Sequence, residues 1–267
     1  MLYIVATPIG NLGDITYRAV EILQSVDFIL CEDTRHSVPL LKKYGISKPL
    51  YSYHKFNEKE SVENIKERLL KGESAALISD AGMPGISDPG AVLIKEAISE
   101  GIDYTVIPGP CAAVNALVLS GLNTDKFLFF GFLPEKSSKK EEELKKLSDC
   151  EYTLIFYISP HSAEKDISVL YKFLGNRKAV VLREMTKIFE ERVEFNLKDG
   201  YPGELRGEFV LAVEGAAGTF DFTDLTVEEH INAYVSAGYS LMDAVKKTAR
   251  DRGVAKNEIY KHTLKKS

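Results

Sequence analysis

Cysteine is scarce in this 267-residue sequence, and the little there is does not pair. Cys31, Cys111 and Cys150 are odd in number, widely spaced and in no C-x-x-C arrangement. That excludes a zinc site of the usual spacing and points to a reducing compartment. No apolar run approaches the roughly 18 residues of a membrane-spanning helix. No signal peptide precedes the first strand pattern, so a cytoplasmic protein with no membrane partner is expected. Positive charge is not in excess. A net charge of −5 argues against wholesale coating of nucleic acid, although a local basic patch can still bind RNA. Neither G-x-G-x-x-G nor G-x-x-x-x-G-K-[ST] occurs, which disfavours a dinucleotide Rossmann site and a P-loop. The remaining composition, 45% hydrophobic and 27% charged, is that of an ordinary soluble globular chain, long enough for two modest domains.

What the sequence does have is constrained loops. Ser79-Asp-Ala-Gly-Met-Pro-Gly-Ile-Ser-Asp-Pro-Gly90 follows the apolar strand pattern 75–78 and precedes a helical one. Its three Gly and two Pro in twelve residues fix an unusual backbone path. A bare strand-to-helix turn needs only about two to six residues, so a ligand loop at a strand end is the better reading. Thr7-Pro-Ile-Gly-Asn-Leu-Gly-Asp14 after strand 2–6 and Pro108-Gly-Pro-Cys-Ala-Ala113 after strand 104–107 have the same character. Three such loops make one crevice lined by backbone groups.

The periodicity predicts strands near 2–6, 26–31, 49–53, 74–78 and 104–107, alternating with helices near 15–25, 36–44, 59–71, 91–100 and 112–120. That alternation implies an α/β fold with a mostly parallel sheet covered on both faces. A strand at 127–131 follows. Leu133-Pro-Glu-Lys-Ser-Ser-Lys-Lys140 then reads as a polar break close to a domain boundary. Strands near 152–157, 179–183, 190–195 and 209–213 form a second α/β set, and 215–226, with Gly215 and Gly218, reads as a flexible connection. Three short helical patterns end the chain, with Ser240 and Asp243 placed as an N-cap box. The expected domains are 1–122, 123–225 and a basic helical module, 226–267. That module carries Lys246, Lys247, Arg250, Arg252, Lys256, Lys261, Lys265 and Lys266 against Asp243, Asp251 and Glu258. Such charge is either a solvated helical face or a surface that touches phosphate. In the first case Ile231, Tyr234, Val235, Leu241 and Val245 pack beneath it.

Pro8-Ile-Gly-Asn11 with Thr16, Arg18 and Ala19, then Gly82-Met-Pro84, then Pro108-Gly-Pro-Cys-Ala112 resemble the loops of the tetrapyrrole methylase superfamily. Its members bind S-adenosylmethionine in a cleft between two α/β domains. A narrower likeness covers the chain from Leu2 to its end. It is carried by residues 6–16, Glu32-Asp-Thr-Arg35, His54 with Asn57-Glu58, residues 79–90, Arg183-Glu-Met-Thr-Lys187, Glu190-Glu191 and Gly207-Glu-Phe-Val-Leu211. These are similar to the branch that 2′-O-methylates a cytidine ribose in the decoding region of 16S rRNA. Met83 departs from that branch's D-A-G-T-P, and Ile158 and Ser162 depart from its F-Y-E-S-P-H-R.

The resemblance implies that Pro8, Ile9, Gly82, Met83, Ile86, Cys111 and Ala112 line the cofactor site, with Gly10, Asp80 and Ser87 in the same loops. Tyr157, Met185 and Val213 would cover it from the second domain. It also implies a homodimer and no metal. The acceptor hydroxyl needs a base. Asp88 is the first candidate, followed by Asp33 and His54, with Glu32 and Glu184 also at strand ends. Asp88 could instead cap the next helix, His54 could hold a loop, and Asp14 reads as an N-cap. Arg18 and Arg35 are candidates for phosphate, or for pairing with Glu21, Glu32 or Asp33. Three readings stay open: an rRNA ribose methyltransferase acting on 16S rRNA or the small subunit, a corrin-type small-molecule methyltransferase, and a catalytically silent RNA-binding protein of the same fold.

Overall fold

A computed structural model describes residues 1–216 and 225–263. Gly218 and the rest of 217–224, and Lys265 and Lys266, lie outside the described residues. The chain divides into two compact units, Met1–Ala116 with Glu184–Glu191, and Leu117–Arg183 with Arg192–Ser267.

The first unit holds β1 (Leu2–Val5), α1 (Tyr17–Ser25), β2 (Phe28–Cys31), α2 (Thr34–Lys43), β3 (Leu50–Ser52), α3 (Glu58–Leu70), β4 (Ala75–Leu77), α4 (Ala91–Ser99) and β5 (Tyr104–Ile107). The five strands are all parallel, in the order β3-β2-β4-β1-β5. Apolar runs with no polar alternation give strands buried on both faces, and the period of two then sorts their side chains. Leu2, Ile4, Phe28, Leu30, Ala75 and Leu77 pack on Val62, Ile65 and Leu69 of α3 and Leu93 and Ala97 of α4. Val5, Ile29, Cys31, Ala76 and Ile78 face the other way, onto Ala19 and Leu23 of α1 and Leu41 of α2. Parallel pairing puts the loop after every strand on one edge of the sheet, which is where the candidate residues fall.

The helix α5 (Ala112–Ser120) leads on to β6 (Phe127–Phe132), α6 (Ser137–Leu147), β7 (Thr153–Ile158), α7 (Ala163–Leu174), β8 (Lys178–Arg183), β9 (Glu191–Asn196) and β10 (Phe209–Val213). The second sheet runs β6-β7-β10-β8-β9 and is mixed: β6 is parallel to β7, and β10 is antiparallel to β7 and β8. One face is covered by Leu144 and Leu147 of α6 and by Ile167, Leu170 and Leu174 of α7. The polar break expected at 133–140 is therefore short, because a helix begins at Ser137. Lys140 misled the pattern. It is buried, and its Nζ lies 2.6 Å from Asp166 Oδ1 on α7. Asp14 sits in a 3-10 turn, while Thr16 accepts the Ala19 N–H and caps α1.

The helices α8 (Val227–Ser236), α9 (Leu241–Asp251) and α10 (Lys256–Thr263) share a small core of Ile231, Tyr234, Ala244, Val245, Ala249 and Ile259. Val235 and Leu241, expected beneath them, are exposed. Thr226 and Glu229 form a reciprocal capping box, and Ser240 caps α9. Among the described residues no helix is long and apolar enough to cross a membrane.

Removing one member of a buried ion pair strands the other, at about 3–5 kcal/mol. Asp166→Ala should therefore lower the unfolding free energy by about that amount in denaturant titration. Lys140→Met combined with Asp166→Leu should restore most of it. A loss of less than about 1 kcal/mol in the single variant would show that the pair behaves as a surface one.

Candidate active site

Three loops meet at the carboxyl edge of the parallel sheet. Thr7, just past β1, donates its backbone N–H to Gly82 O (2.9 Å), and the Gly82 N–H returns to Thr7 O (3.1 Å). The Thr7 hydroxyl reaches Ser79 O at 3.2 Å, so side chain and backbone both clamp the loop after β4 onto the loop after β1. Gly82 has φ +80°, and a Cβ there would lie 3.2 Å from Ile9 Cγ2 and 3.7 Å from Pro110 O. Pro110 belongs to the loop after β5, so one glycine touches all three segments. Gly109 sits as close, with a Cβ position 2.9 Å from the Ala6 side chain.

The segment Glu184–Glu191 adds a fourth wall to this unit. The Asn11 N–H donates to Thr186 Oγ1 (3.0 Å), and a Cβ on Gly10 would collide with Lys187 and Thr186. Glu184 and Thr186 both hold positive φ, which costs of order 1–3 kcal/mol per residue and marks an over-determined path. The Thr186 N–H is taken by Glu190, and Lys187 Nζ by Glu184 at 2.9 Å. Residues 184–187 and Glu190 of those motifs thus fold back against the first glycine loop, while Arg183 stays in β8 of the second unit. Sequence alone gave no sign of that return.

The acidic residues sort by their partners. Asp33 caps α2 and is gripped by Arg35, whose Nε and Nη2 donate at 3.0 and 2.6 Å. Those hydrogen bonds hold its carboxyl down at about 2, too weak a base for proton abstraction. Asp80, expected among the cofactor residues, braces the neighbouring loop. Its oxygens meet the Asp33 N–H at 3.2 Å and His36 Nδ1 at 3.0 Å. His36 had no sequence signal. Glu58 accepts the Gly90 N–H at 2.9 Å, and Asn57 accepts the His54 N–H at 2.8 Å, so the Asn57-Glu58 motif fastens two loops together.

Asp88 and Glu32 remain, with no ion pair among the described residues. Burial, then the negative charge of Glu32, pushes the Asp88 carboxyl up to about 6; Asp80 adds to this and a hydrogen bond from Ser79 opposes it. Burial and the charge of Asp80 raise Glu32 as well. Gly90, not Asp88, is the N-cap of α4, and no side chain caps that helix. Ser87 immediately before Asp88 has φ +67°, so this carboxylate is held on a strained backbone. Half-buried His54 has its Nδ1 buried with no hydrogen-bond partner.

Pro8, Ile9 and Gly82 are buried at the junction, Met83, Cys111 and Ala112 are half-buried around it, and Ile86 and Ser87 are exposed. Met185 is buried in the same unit. Tyr157 lies in the second unit, edge-on to Phe129 and Phe132. Val213, expected to cover the cofactor, is wholly buried in that unit's core and offers no surface to a ligand. The resemblance had implied it at the end of a strand, where only the packing of the second sheet fixes its exposure. Arg18 is exposed and makes no ion pair among the described residues. In the C-terminal module Lys247 and Arg250 both pair with Asp149, and Lys246 pairs with Asp243. Arg252 is spent inside the module on His230 Nδ1 and Leu225 O, which removes it from the candidates for phosphate.

The junction fits the cofactor implied by the sequence. Close backbone approach with apolar side chains (Ile9, Met83, Cys111, Ala112) suits a neutral, flat adenosine portion. Gly82→Val should abolish S-adenosylmethionine binding in a calorimetric titration. A β-branched residue resists φ +80° and would push Ile9 aside. Unchanged affinity in a folded variant would overturn this placement.

A family model described as Tetrapyrrole (Corrin/Porphyrin) Methylases matches residues 1–199. The ribosomal RNA small subunit methyltransferase I of Halalkalibacterium halodurans is 41% identical, over 97% of this chain and 93% of its own. That of Bacillus subtilis is 42% identical, over 97% and 92%, and that of Pasteurella multocida 43%, over 99% and 96%. Among solved structures, the methyltransferase CobJ superposes with a TM-score of 0.63 at 17% identity, covering 81% of this chain and 94% of that one. Uroporphyrin-III-C-methyltransferase from Thermus thermophilus gives 0.59 at 16%, covering 90% and 99%. At such identities these two speak for the fold alone.

Proposed function

The chain belongs to the tetrapyrrole methylase family and, within it, to the ribosomal RNA small subunit methyltransferase I group; from that premise we propose that it 2′-O-methylates a cytidine ribose in the decoding region of 16S rRNA, in the cytoplasm, using S-adenosylmethionine. Near full-length similarity to relatives so named carries the RNA reading. The corrin-type alternative has only a distant likeness of fold behind it.

S-adenosylmethionine, when bound, supplies a methyl group activated by its sulfonium. Pro8, Ile9, Gly82, Met83, Cys111 and Ala112 hold it. Alignment of the ribose hydroxyl with that methyl is worth up to about 7–11 kcal/mol. With the cofactor bound, Asp88 would take the proton that the ribose hydroxyl gives up as the methyl group passes to its oxygen. A base held at about 6 is ionised at neutral pH yet basic enough to help, which a carboxylate held at about 2 is not. His54 and Glu32 shape the field around it. Arg18, Arg35, Lys246, Lys247 and Arg250 supply phosphate contacts.

Two tests follow from this chemistry. Small-subunit rRNA from cells lacking the protein should miss one ribose methyl group, which the wild-type gene restores and Asp88→Asn does not. In vitro that variant should lose about 10²-fold or more in turnover with little change in cofactor affinity. Wild-type kcat/KM should fall below about pH 6, because protonation removes the base, and the variant should lack that limb. Turnover within threefold of wild type would rule out Asp88.

Two copies of the chain form the working unit. Support comes from Val114, Val118 and Leu119, exposed on the apolar helix α5, and from Tyr104 and Val106, exposed on the edge strand β5. Apolar surface of this kind marks an interaction face. Light scattering should give a dimer mass at micromolar concentration, and Val118→Asp should shift it toward the monomer. A monomeric wild type would end the dimer proposal.

A further inference from the structure

Away from the sheet edge just described, the second unit contains a cavity of about 530 Å³ walled by α7, by the turn before α9 and by α9 itself. Its lining combines aromatic rings with cations. Tyr171 and Lys172 come from α7, Tyr239 from the turn, and Lys246, Lys247 and Arg250 from α9; the acids are Asp149 and Asp243. The volume is that of a small-molecule site, and the balance of charge is positive.

The two acids organise the cations more than they cancel them. Asp149 takes both Lys247 Nζ and Arg250 Nη1, which fixes the guanidinium at the rim with Nη2 donating to no acceptor among the described residues. Lys246 is more than half exposed beside Asp243, and Lys172 is well exposed near Glu141. Tyr239 is fixed: Lys247 Nζ lies 4.7 Å from its ring centre, and a Cβ on Gly175 would be 3.5 Å from its Cε1. Tyr171 is different. The residue is 38% exposed, and its ring has no ring or cation partner among the described residues. A half-exposed aromatic ring next to solvent-exposed cations is the arrangement that receives an unpaired base and its phosphate.

We propose that this cavity is a second RNA subsite, in which one unpaired nucleotide of the substrate stacks its base on Tyr171 and sets its phosphate among Lys172, Lys246 and Arg250. The proposal rests on the rRNA reading above and adds to it a place where a nucleotide that is not methylated is held. Its observable consequence is that α7, which carries no cofactor residue, matters for RNA affinity.

The probe is a fluorescently labelled 16S rRNA fragment containing the decoding region, titrated with full-length protein at several salt concentrations. Tyr171→Ala should weaken binding about tenfold, the scale of one base–aromatic stack, and Tyr171→Phe should recover most of that loss. Lys172→Glu with Lys246→Glu should weaken it similarly and flatten the log affinity–log salt slope by about 0.7 for one phosphate lost. Lys165→Glu, an exposed position on α7 outside the cavity, should stay within about twofold. S-adenosylmethionine affinity should be the same in all of them, which also reports an intact fold. If wild type binds and methylates the RNA while Tyr171→Ala and the double variant match it, the subsite is wrong and the rRNA reading stands. Equal losses in the Lys165 variant would show diffuse charge instead of a pocket, and overturn the subsite. A wild type that neither binds nor methylates the fragment overturns both.

Discussion

The exchange of backbone hydrogen bonds between Thr7 and Gly82 is the contact on which the first unit's site depends. Two parallel strands that are neighbours in the sheet cannot by themselves position the loops that leave them. A short antiparallel bridge beyond the strand ends does so, because it fixes both backbones at once and leaves no room for a side chain on Gly82. Ile9 and Pro110 both border the space that a Cβ on Gly82 would take, and the loop after β5 is placed with no hydrogen bond of its own to the bridge among the described residues. The geometry is set by main chain, so the side chain of Met83, next in the loop, takes no part in the bridge. What it does not tolerate is a change in the φ of residue 82.

Around that junction, five carboxylates within a few residues of strand ends do different work because their neighbours differ. Asp33 has a helix N-terminus and a guanidinium, and Asp80 a backbone N–H and an imidazole. Glu58 closes the N-terminus of α4 by accepting from Gly90. Those three are occupied with holding loops. Asp88 and Glu32 make no ion pair among the described residues; burial and neighbouring acids, Glu32 for the one and Asp80 for the other, push both toward protonation. The same chemical group thus serves as scaffold where a cation or a backbone N–H holds it, and is left available for chemistry where burial and like charge surround it.

Much of this was readable from residues. The apolar runs at 2–5, 28–31 and 75–78 announce strands buried on both faces, and the Gly and Pro between them announce loops with a fixed path. Asp88 was visible as a candidate because it sits in such a loop. Other features depend on partners that are distant in sequence. Lys140 looked like part of a polar linker, and only Asp166, on another helix, makes it a core residue. Asp33 stood second to Asp88 as a base, and of the roles open to Arg35 the fold realises the pairing with Asp33. Val213 ends a strand, but it is wholly buried and its surroundings fill the space a ligand would need. The Arg252 charge was counted with the surface, although His230 and Leu225 absorb it. Period and turn chemistry report local structure, whereas the pairing of charges reports the tertiary fold.

The placement of Glu184–Glu191 bears on how the protein is made. These residues are synthesised in the middle of the second unit yet belong to the first, where Thr186 and Lys187 lie against Gly10 and Asn11. A nascent chain that has emerged through β5 has every strand of the first sheet, but not the segment that closes its glycine loop. At about 5–20 residues per second, the wait for that segment is on the order of several seconds. During that time the first sheet stands with one wall of its ligand site missing. Neither unit can be cut out as an uninterrupted stretch of gene, and a truncation between β5 and residue 184 would leave the five strands of the first sheet without the segment that lies against its glycine loop.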